Sequence, residues 1–145
     1  MKLFTIGFTQ KTAQEFFEKL KENNVELLLD IRLNNASQLA GFAKDKDLQF
    51  FLKTICSCKY EHNLNFAPTK ELLTDYRNKK ITWLEYEKIF YEIMDERKIE
   101  NEFIKYLNYK KVCLLCSEPT ATNCHRRLVA EYLANKIKGI EIIHL

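Results

Sequence analysis

Apolar positions along this chain recur with two periods, and the alternation between them sketches a β-α-β-α-β order. Residues 2–7 (Lys-Leu-Phe-Thr-Ile-Gly) predict a first strand that stops at Gly7. Thr12 and Glu15 have capping-box spacing, and Phe16, Phe17 and Leu20 supply the apolar face of the helix that follows. Asn23-Asn24 can close that helix, because Asn tolerates left-handed backbone better than most residues. Residues 25–31 are a continuous apolar run ending at Asp30-Ile31-Arg32, the second strand. One β-α-β unit of this kind implies a parallel pair with a right-handed crossover.

Residues 33–44 read as a loop. Asp45 or Asp47 can cap a helix whose face is Leu48, Phe51, Leu52 and Ile55, and residues 58–62 read as a short strand. Another loop over 63–68 carries Pro68 near its end. Thr69 opens a helix with Leu72, Leu73 and Tyr76. Thr82 and Glu85 make a second capping box ahead of Trp83, Tyr86, Ile89, Phe90 and Ile93 at helical spacing. A further short helix holds Phe103, Ile104 and Leu107. Residues 111–116 are the next strand, 124–138 the last long helix with Gly139 as its stop, and 140–145 a terminal strand. The expected class is α/β: one domain over 1–145, a three-layer sandwich with a mostly parallel central sheet, helices on both faces, and a helical insert between residues 69 and 108.

Length and composition narrow the function classes only a little. A chain of 145 residues suffices for one core and leaves little room for a second. The net charge of +3 argues against a strongly basic nucleic-acid binder while leaving a local basic patch open. No secretory leader is recognisable and no 18-residue apolar run occurs, so no membrane partner and a cytoplasmic location are expected. Five cysteines, an odd count, are then expected to be reduced thiols.

The candidate chemistry concentrates where the apolar run 112–115 stops at Cys116-Ser117-Glu118, with Cys124-His125-Arg126 six residues further on at a helix start. Strand end, loop and helix N-terminus are where open α/β sheets bind ligands. Cys113 and Cys116 do not read as a redox pair, since side chains three apart on a strand face opposite ways; Cys113 reads as a small core residue. Glu118 shares the side of Cys116 if the chain stays extended. It can serve as a proton acceptor or ribose ligand, or form a structural salt bridge with Arg126, and the sequence leaves both readings open. Cys124, His125 and Arg126 are expected in the first helical turn, capped by Asn123 or Thr122, where the helix dipole favours an anion and a thiolate. Zinc held by Cys116, Cys124 and His125 with His62 or His144 is the competing idea. The C-x7-C-H spacing fits no common zinc pattern, so no metal site is expected.

Other residues reach the same rim. Thr9 follows Gly7, Asp30 and Arg32 end the second strand, and Tyr60 and His62 come from the short third strand. The carboxyl ends of parallel strands lie on one edge, so Thr9, Arg32, Cys116 and Glu118 are expected around one crevice. Arg32 and Arg126 beside it would suit an anion such as phosphate.

These residues also carry a resemblance. Thr5-Ile6-Gly7, Asp30-Ile31-Arg32 with Ser37, Tyr60 with His62, Tyr76, Leu115-Cys116-Ser117-Glu118 with Cys124-His125-Arg126, and the closing His144-Leu145 occur in the order seen in the small prokaryotic family of domain of unknown function 488, which the chain resembles over nearly its whole length. The resemblance implies a compact α/β fold and no established reaction. It marks Thr5, Gly7, Asp30, Arg32, Ser37, Tyr60, His62, Cys116, Glu118, Cys124, His125 and Arg126 as motif positions. The chain departs from the family pattern at Phe8, where His or Tyr is common, at Asn34-Asn35, where a proline is common, and at residues 64–68, where a Leu-Gly-Gly stretch is common.

The functional expectation is an enzyme-like pocket at the carboxyl edge for a phosphate-bearing or nucleotide-like ligand, with Cys116 or Cys124 as nucleophile, Glu118 or His125 as acid/base partner, and Thr9, Asp30, Arg32, Tyr60, His62 and Arg126 as binding residues. The alternative is a non-catalytic nucleic-acid- or ligand-binding module, and a third reading makes the cluster a lock on its own loop. Whether the chain is an enzyme stays open, and no cofactor is identified. An enzyme requires a reachable thiol within hydrogen-bond range of a base. A binding module requires arginines facing the crevice over buried thiols. A mere lock requires Glu118 and Arg126 to satisfy each other with no cavity beside them.

Overall fold

The computed structural model describes residues 1–36, 41–118 and 120–145. The sequence positions Ser37 and Pro119 therefore lie outside the described residues. Among the described residues five strands form one sheet: β1 (Lys2–Gly7), β2 (Leu27–Asp30), β3 (Lys59–His62), β4 (Lys111–Cys116) and β5 (Glu141–His144), in the order β3-β2-β4-β1-β5. Every strand pairing is parallel. The helices are α1 (Ala13–Glu22), α2 (Asp45–Phe51), α3 (Lys70–Arg77), α4 (Trp83–Arg97), α5 (Ile99–Phe103) and α6 (His125–Lys136).

Parallel strands are buried on both faces, and strand alternation divides their side chains between two cores. Phe4, Ile6, Leu28, Cys113 and Leu115 point to one face, where Phe16, Phe17 and Leu20 of α1 and Leu48 of α2 cover them. Leu3, Leu27, Leu29, Val112 and Leu114 point to the other, where Leu72, Tyr86, Phe90, Met94, Phe103, Val129 and Leu133 from α3 to α6 cover them. The result is a three-layer α/β sandwich, with the helical insert of α3, α4 and α5 on the α6 side.

This division fixes where a site can form. The chain leaves β1 and β2 towards α1 and α2 on one face, and leaves β4 towards α6 on the opposite face. Because β4 lies between β2 and β1, its connection parts from both neighbours at the carboxyl edge. Crevices open in α/β sheets at such switch points. Gly7, Asp30 and Cys116 are the last residues of the three strands concerned.

Both expected capping boxes form. Thr12 and Glu15 close the start of α1, and Thr82 and Glu85 the start of α4. Three local readings need correction. Lys44, without a side-chain cap, precedes α2 in place of an aspartate. The helix then runs into a π turn over Leu52–Cys56. The wider winding turns Ile55 out to 40% exposure while Leu52 stays buried and the Cys56 thiol turns inward to the Phe17 carbonyl. Ile89, expected on the apolar face of α4, is exposed, since Tyr86, Phe90 and Met94 already fill that face. No helix among the described residues is long and apolar enough to cross a membrane.

Two expected outcomes follow from this packing. Leu52→Ala removes a fully buried side chain and is expected to cost about 2–5 kcal/mol, whereas Ile55→Ser is expected to stay within about 0.5 kcal/mol of the parent. Urea unfolding checks both, and equal losses would contradict the π turn. The second outcome concerns alkaline pH. Burial pushes the Cys58 thiol up to about 12 and the Cys113 thiol well above the ordinary range. Up to a pH near 9 both the folded and unfolded chains keep these protons, and stability is unaffected. Above it the unfolded thiols ionise while the folded ones do not, so stability falls as pH rises towards 12. The urea midpoint is expected to drop over that range, less steeply in Cys58→Ala; equal slopes would contradict it.

Candidate functional site at the carboxyl edge of the sheet

Cys116 ends β4 on the face that carries α6, two positions beyond Leu114, and so faces the first turn of that helix. His125 opens α6 and brings its ring against the sulfur, with Sγ 3.1 Å from Nδ1 and 3.7 Å from Nε2. The sulfur therefore stands over the Nδ1 flank of the ring. The other ring nitrogen is 2.8 Å from the Ile31 carbonyl oxygen. A carbonyl only accepts, so Nε2 carries a hydrogen, and in the neutral ring Nδ1 holds the lone pair beside Cys116. Phe90 of α4 meets the ring edge-on at 5.9 Å and fixes its plane. Thiol, imidazole and the carbonyl that orients the imidazole thus meet at one place, with the sulfur over the ring face.

Cys124 is the N-cap of α6, in place of the expected Asn123 or Thr122. Its side chain makes no capping bond, and its backbone is extended. Its thiol is pushed far above the ordinary range, first by its hydrogen bond to Cys116 and then by burial. Tyr86, read from sequence only as a helix-face position, is buried on the same side of the sheet, and burial pushes its phenol up.

Arg126 is fully buried and used internally. Its Nε donates to Thr5 Oγ1 at 3.3 Å, and its Nη1 donates to the Glu118 main-chain carbonyl and lies 3.8 Å from Cys124 Sγ. Thr5 passes the chain on through its 2.6 Å contact with His144 Nδ1. Of the two readings left open for Glu118, the salt bridge with Arg126 does not form: the main-chain carbonyl meets the guanidinium, while the Glu118 side chain is exposed. Gly7 makes this possible, because a Cβ there would collide with the Glu118 carbonyl and with Arg126 Nη1.

Asp30, Arg32 and Tyr60 lie on the opposite face of the sheet. The register pairs Leu28 with Cys113 and Asp30 with Leu115, so Asp30 points to the α1–α2 side and Cys116 to the α6 side. Arg32 grips Asp30 through Nε at 2.9 Å and Nη2 at 2.7 Å, and Nη2 also reaches the Ala43 carbonyl at 2.8 Å. Burial pulls the Arg32 guanidinium down, but its hydrogen bond and charge contact with Asp30 override this and hold it above its ordinary value. Tyr60 donates to Asp30 at 2.6 Å and accepts from Asn35. His62 Nε2 donates to the Arg32 carbonyl at 2.6 Å. Phe8 lies under the guanidinium, 5.2 Å from ring centroid to Cζ, so the residue that departs from the family pattern packs a cation here. Arg32 Nη1 is buried with no hydrogen-bond partner among the described residues.

The single crevice expected to hold both arginines is thus replaced by two clusters that share an edge and face opposite ways. Thr9 joins the edge through its backbone, donating to the Ser117 carbonyl at 3.0 Å. The clusters touch through Ile31, whose carbonyl belongs to the β2 end and whose partner is His125. That contact was invisible in sequence, because it uses a main-chain atom. Cys116, Cys124, His125 and Arg126 are all buried, and two surface hollows, one beside Tyr91 and Tyr132 and one beside Met1 and Tyr109, lie elsewhere. Cys116, Cys124 and His125 also bring three potential metal-donor atoms within 4.8 Å of one another. A tetrahedral ion would need a fourth donor, and Arg126 places a positive charge beside one of the three.

Gly7→Ala is expected to cost at least about 1–3 kcal/mol, because neither the Glu118 carbonyl nor the buried guanidinium can withdraw freely. An unchanged urea midpoint would contradict the close approach.

The family described as Domain of unknown function DUF488 matches residues 12–133. No curated protein and no solved structure matches the chain. The match spans most of the sequence, including Asp30, Arg32, Cys116, Cys124, His125 and Arg126, and the chain belongs to the DUF488 family.

Proposed function

We propose that this chain is a thiol enzyme whose nucleophile is Cys116 and whose base is His125, acting on a small phosphate-bearing or nucleotide-like ligand. The observation that carries the reading is the His125 ring. One nitrogen is committed to the Ile31 carbonyl, and the other is left beside the Cys116 sulfur. An imidazole held in that way takes the thiol proton and returns it to a leaving group in a second step. Glu118 contributes its main-chain carbonyl to Arg126, and its exposed carboxylate has no part in this reading.

The anionic part of the ligand rests on the start of α6 and not on an arginine pair. The N-cap side chain leaves the His125 and Arg126 amides of this 12-residue helix without a side-chain cap, while the Arg127 amide donates to the Cys124 carbonyl at 3.1 Å. Arg126 stands behind them as a fixed positive charge, and Lys11 is pushed down by burial and then by Arg126. Arg32 and Asp30 neutralise each other and set the turn after β2. Thr9, Tyr60 and His62 line the same edge.

The burial of both thiols meets one of the two conditions for a second reading, a non-catalytic ligand-binding module, whose other condition, arginines facing a crevice, is not met. Peptide-resolved alkylation separates the two. In the enzyme reading Cys116 of the folded chain reacts with iodoacetamide at neutral pH while Cys113 does not, and His125→Asn slows the reaction about tenfold or more. Adenosine monophosphate, unlike adenosine, protects Cys116. If Cys116 is as inert as Cys113, or indifferent to His125, the enzyme reading fails; protection of inert thiols from unfolding by the nucleotide alone supports the binding module.

A further inference from the structure

The five cysteines are not distributed evenly over the fold. Cys58 and Cys113 belong to the core on the α1–α2 side, with Cys56 packed against it. Cys116 and Cys124 lie on the α6 side, where their sulfurs are within 4.8 Å of each other and of a His125 nitrogen. Two thiols at that separation need only a short approach to reach bonding distance. Cys124 can make it. It is an N-cap with φ −135° and ψ 138°, so its side chain is not confined by a preceding helical turn. Cys116 is anchored in β4. The sheet lies between this pair and the other three thiols, which gives Cys116 one cysteine partner within the chain.

The two thiols are also held differently. Cys116 is fixed on β4 with its sulfur 3.1 Å from His125 Nδ1, whereas Cys124 sits on the N-cap of α6. Disulfide formation needs a division of roles, with one thiol that attacks an oxidant and one that then attacks the oxidised sulfur. We propose that Cys116 and Cys124 form an intramolecular disulfide when the protein meets a hydroperoxide, and that this bond reversibly blocks the thiol centre. The proposal rests on the reading of Cys116 as the reactive thiol.

The chemistry balances with the peroxide as oxidant. The Cys116 thiolate attacks one peroxide oxygen, and the O–O bond breaks. Water or an alcohol leaves after protonation, and Cys116 becomes a sulfenic acid. The Cys124 sulfur then gives up its proton and attacks the Cys116 sulfur. The S–O bond breaks, a second water leaves, and the S–S bond forms. Two thiols have lost two electrons to one peroxide. His125 is placed to take the proton in either step. A dithiol reductant restores both thiols.

The test uses the full chain and hydrogen peroxide. After brief oxidation, free thiols are blocked, the protein is digested, and the peptides are mapped by mass spectrometry with and without dithiothreitol. The expected product is one cross-linked pair joining Cys116 to Cys124, lighter by two hydrogens and released by the reductant, with Cys56, Cys58 and Cys113 still reduced. In Cys124→Ser the expected product is a Cys116 sulfenic acid trapped by dimedone. Trapping there without a cross-link in the parent chain overturns the disulfide and leaves the reactive thiol standing. Failure of both trapping and cross-linking sinks the two together. A cross-link involving Cys56, Cys58 or Cys113, a bond between two chains, or a zinc ion that co-purifies and keeps both thiols reduced also overturns it.

Discussion

The hydrogen bond from His125 to the Ile31 carbonyl is the contact on which the proposed chemistry depends. It joins the end of β2 to the start of α6, two elements separated by 94 residues of sequence. It decides which ring nitrogen carries the proton, and therefore which one can act on Cys116. The pairing of β2 with β4 places Ile31 within reach, through the bond from Ile31 N to the Leu115 carbonyl. α6 can settle against β1 and β4 because Gly7 leaves room for Arg126 and the Glu118 carbonyl. Removing any of these supports would release the imidazole before it damaged the sheet.

Two buried arginines flank this contact and act as structural cations. Arg32 spends its charge on Asp30, and removing one partner of such a pair leaves the other buried and uncompensated, at a cost of about 3–5 kcal/mol. Arg126 spends its donors on a hydroxyl and a main-chain carbonyl. A carbonyl partner leaves its charge unneutralised, so its positive field persists beside Cys124 and depresses Lys11 and His144 together with their own burial. One arginine is thus electrically silent and the other is not, although both are equally buried. That difference is why the proposed anion site lies on the α6 side of the edge and not beside Arg32.

Much of the fold was legible because its signals are local. The capping boxes at Thr12 and Thr82 need only four residues each, and the apolar runs that became β1, β2 and β4 need only burial on both faces. The separation of Cys113 from Cys116 follows from strand geometry alone. What failed was information carried between elements. Asp30 and Arg32 have a definite face within β2, but only the pairing of Asp30 with Leu115 reveals that it is the face opposite Cys116. The π turn that expels Ile55, the Glu118 carbonyl that replaces its carboxylate, and the Ile31 carbonyl that orients His125 leave no mark in side-chain patterns. Candidate residues were found where they cluster in sequence; their grouping was missed wherever it depends on register or on main-chain atoms.

The most direct check is nitrogen-15 NMR of the imidazole rings, feasible because the chain has only three histidines. At a pH where its ring is neutral, His125 is expected to show a protonated Nε2 and an unprotonated Nδ1, with the Nε2 proton coupled through its hydrogen bond to the Ile31 carbonyl and the Nδ1 signal altered in Cys116→Ser. A neutral ring carrying its proton on Nδ1, or an Nδ1 signal indifferent to Cys116, would contradict the assignment of His125 as the base.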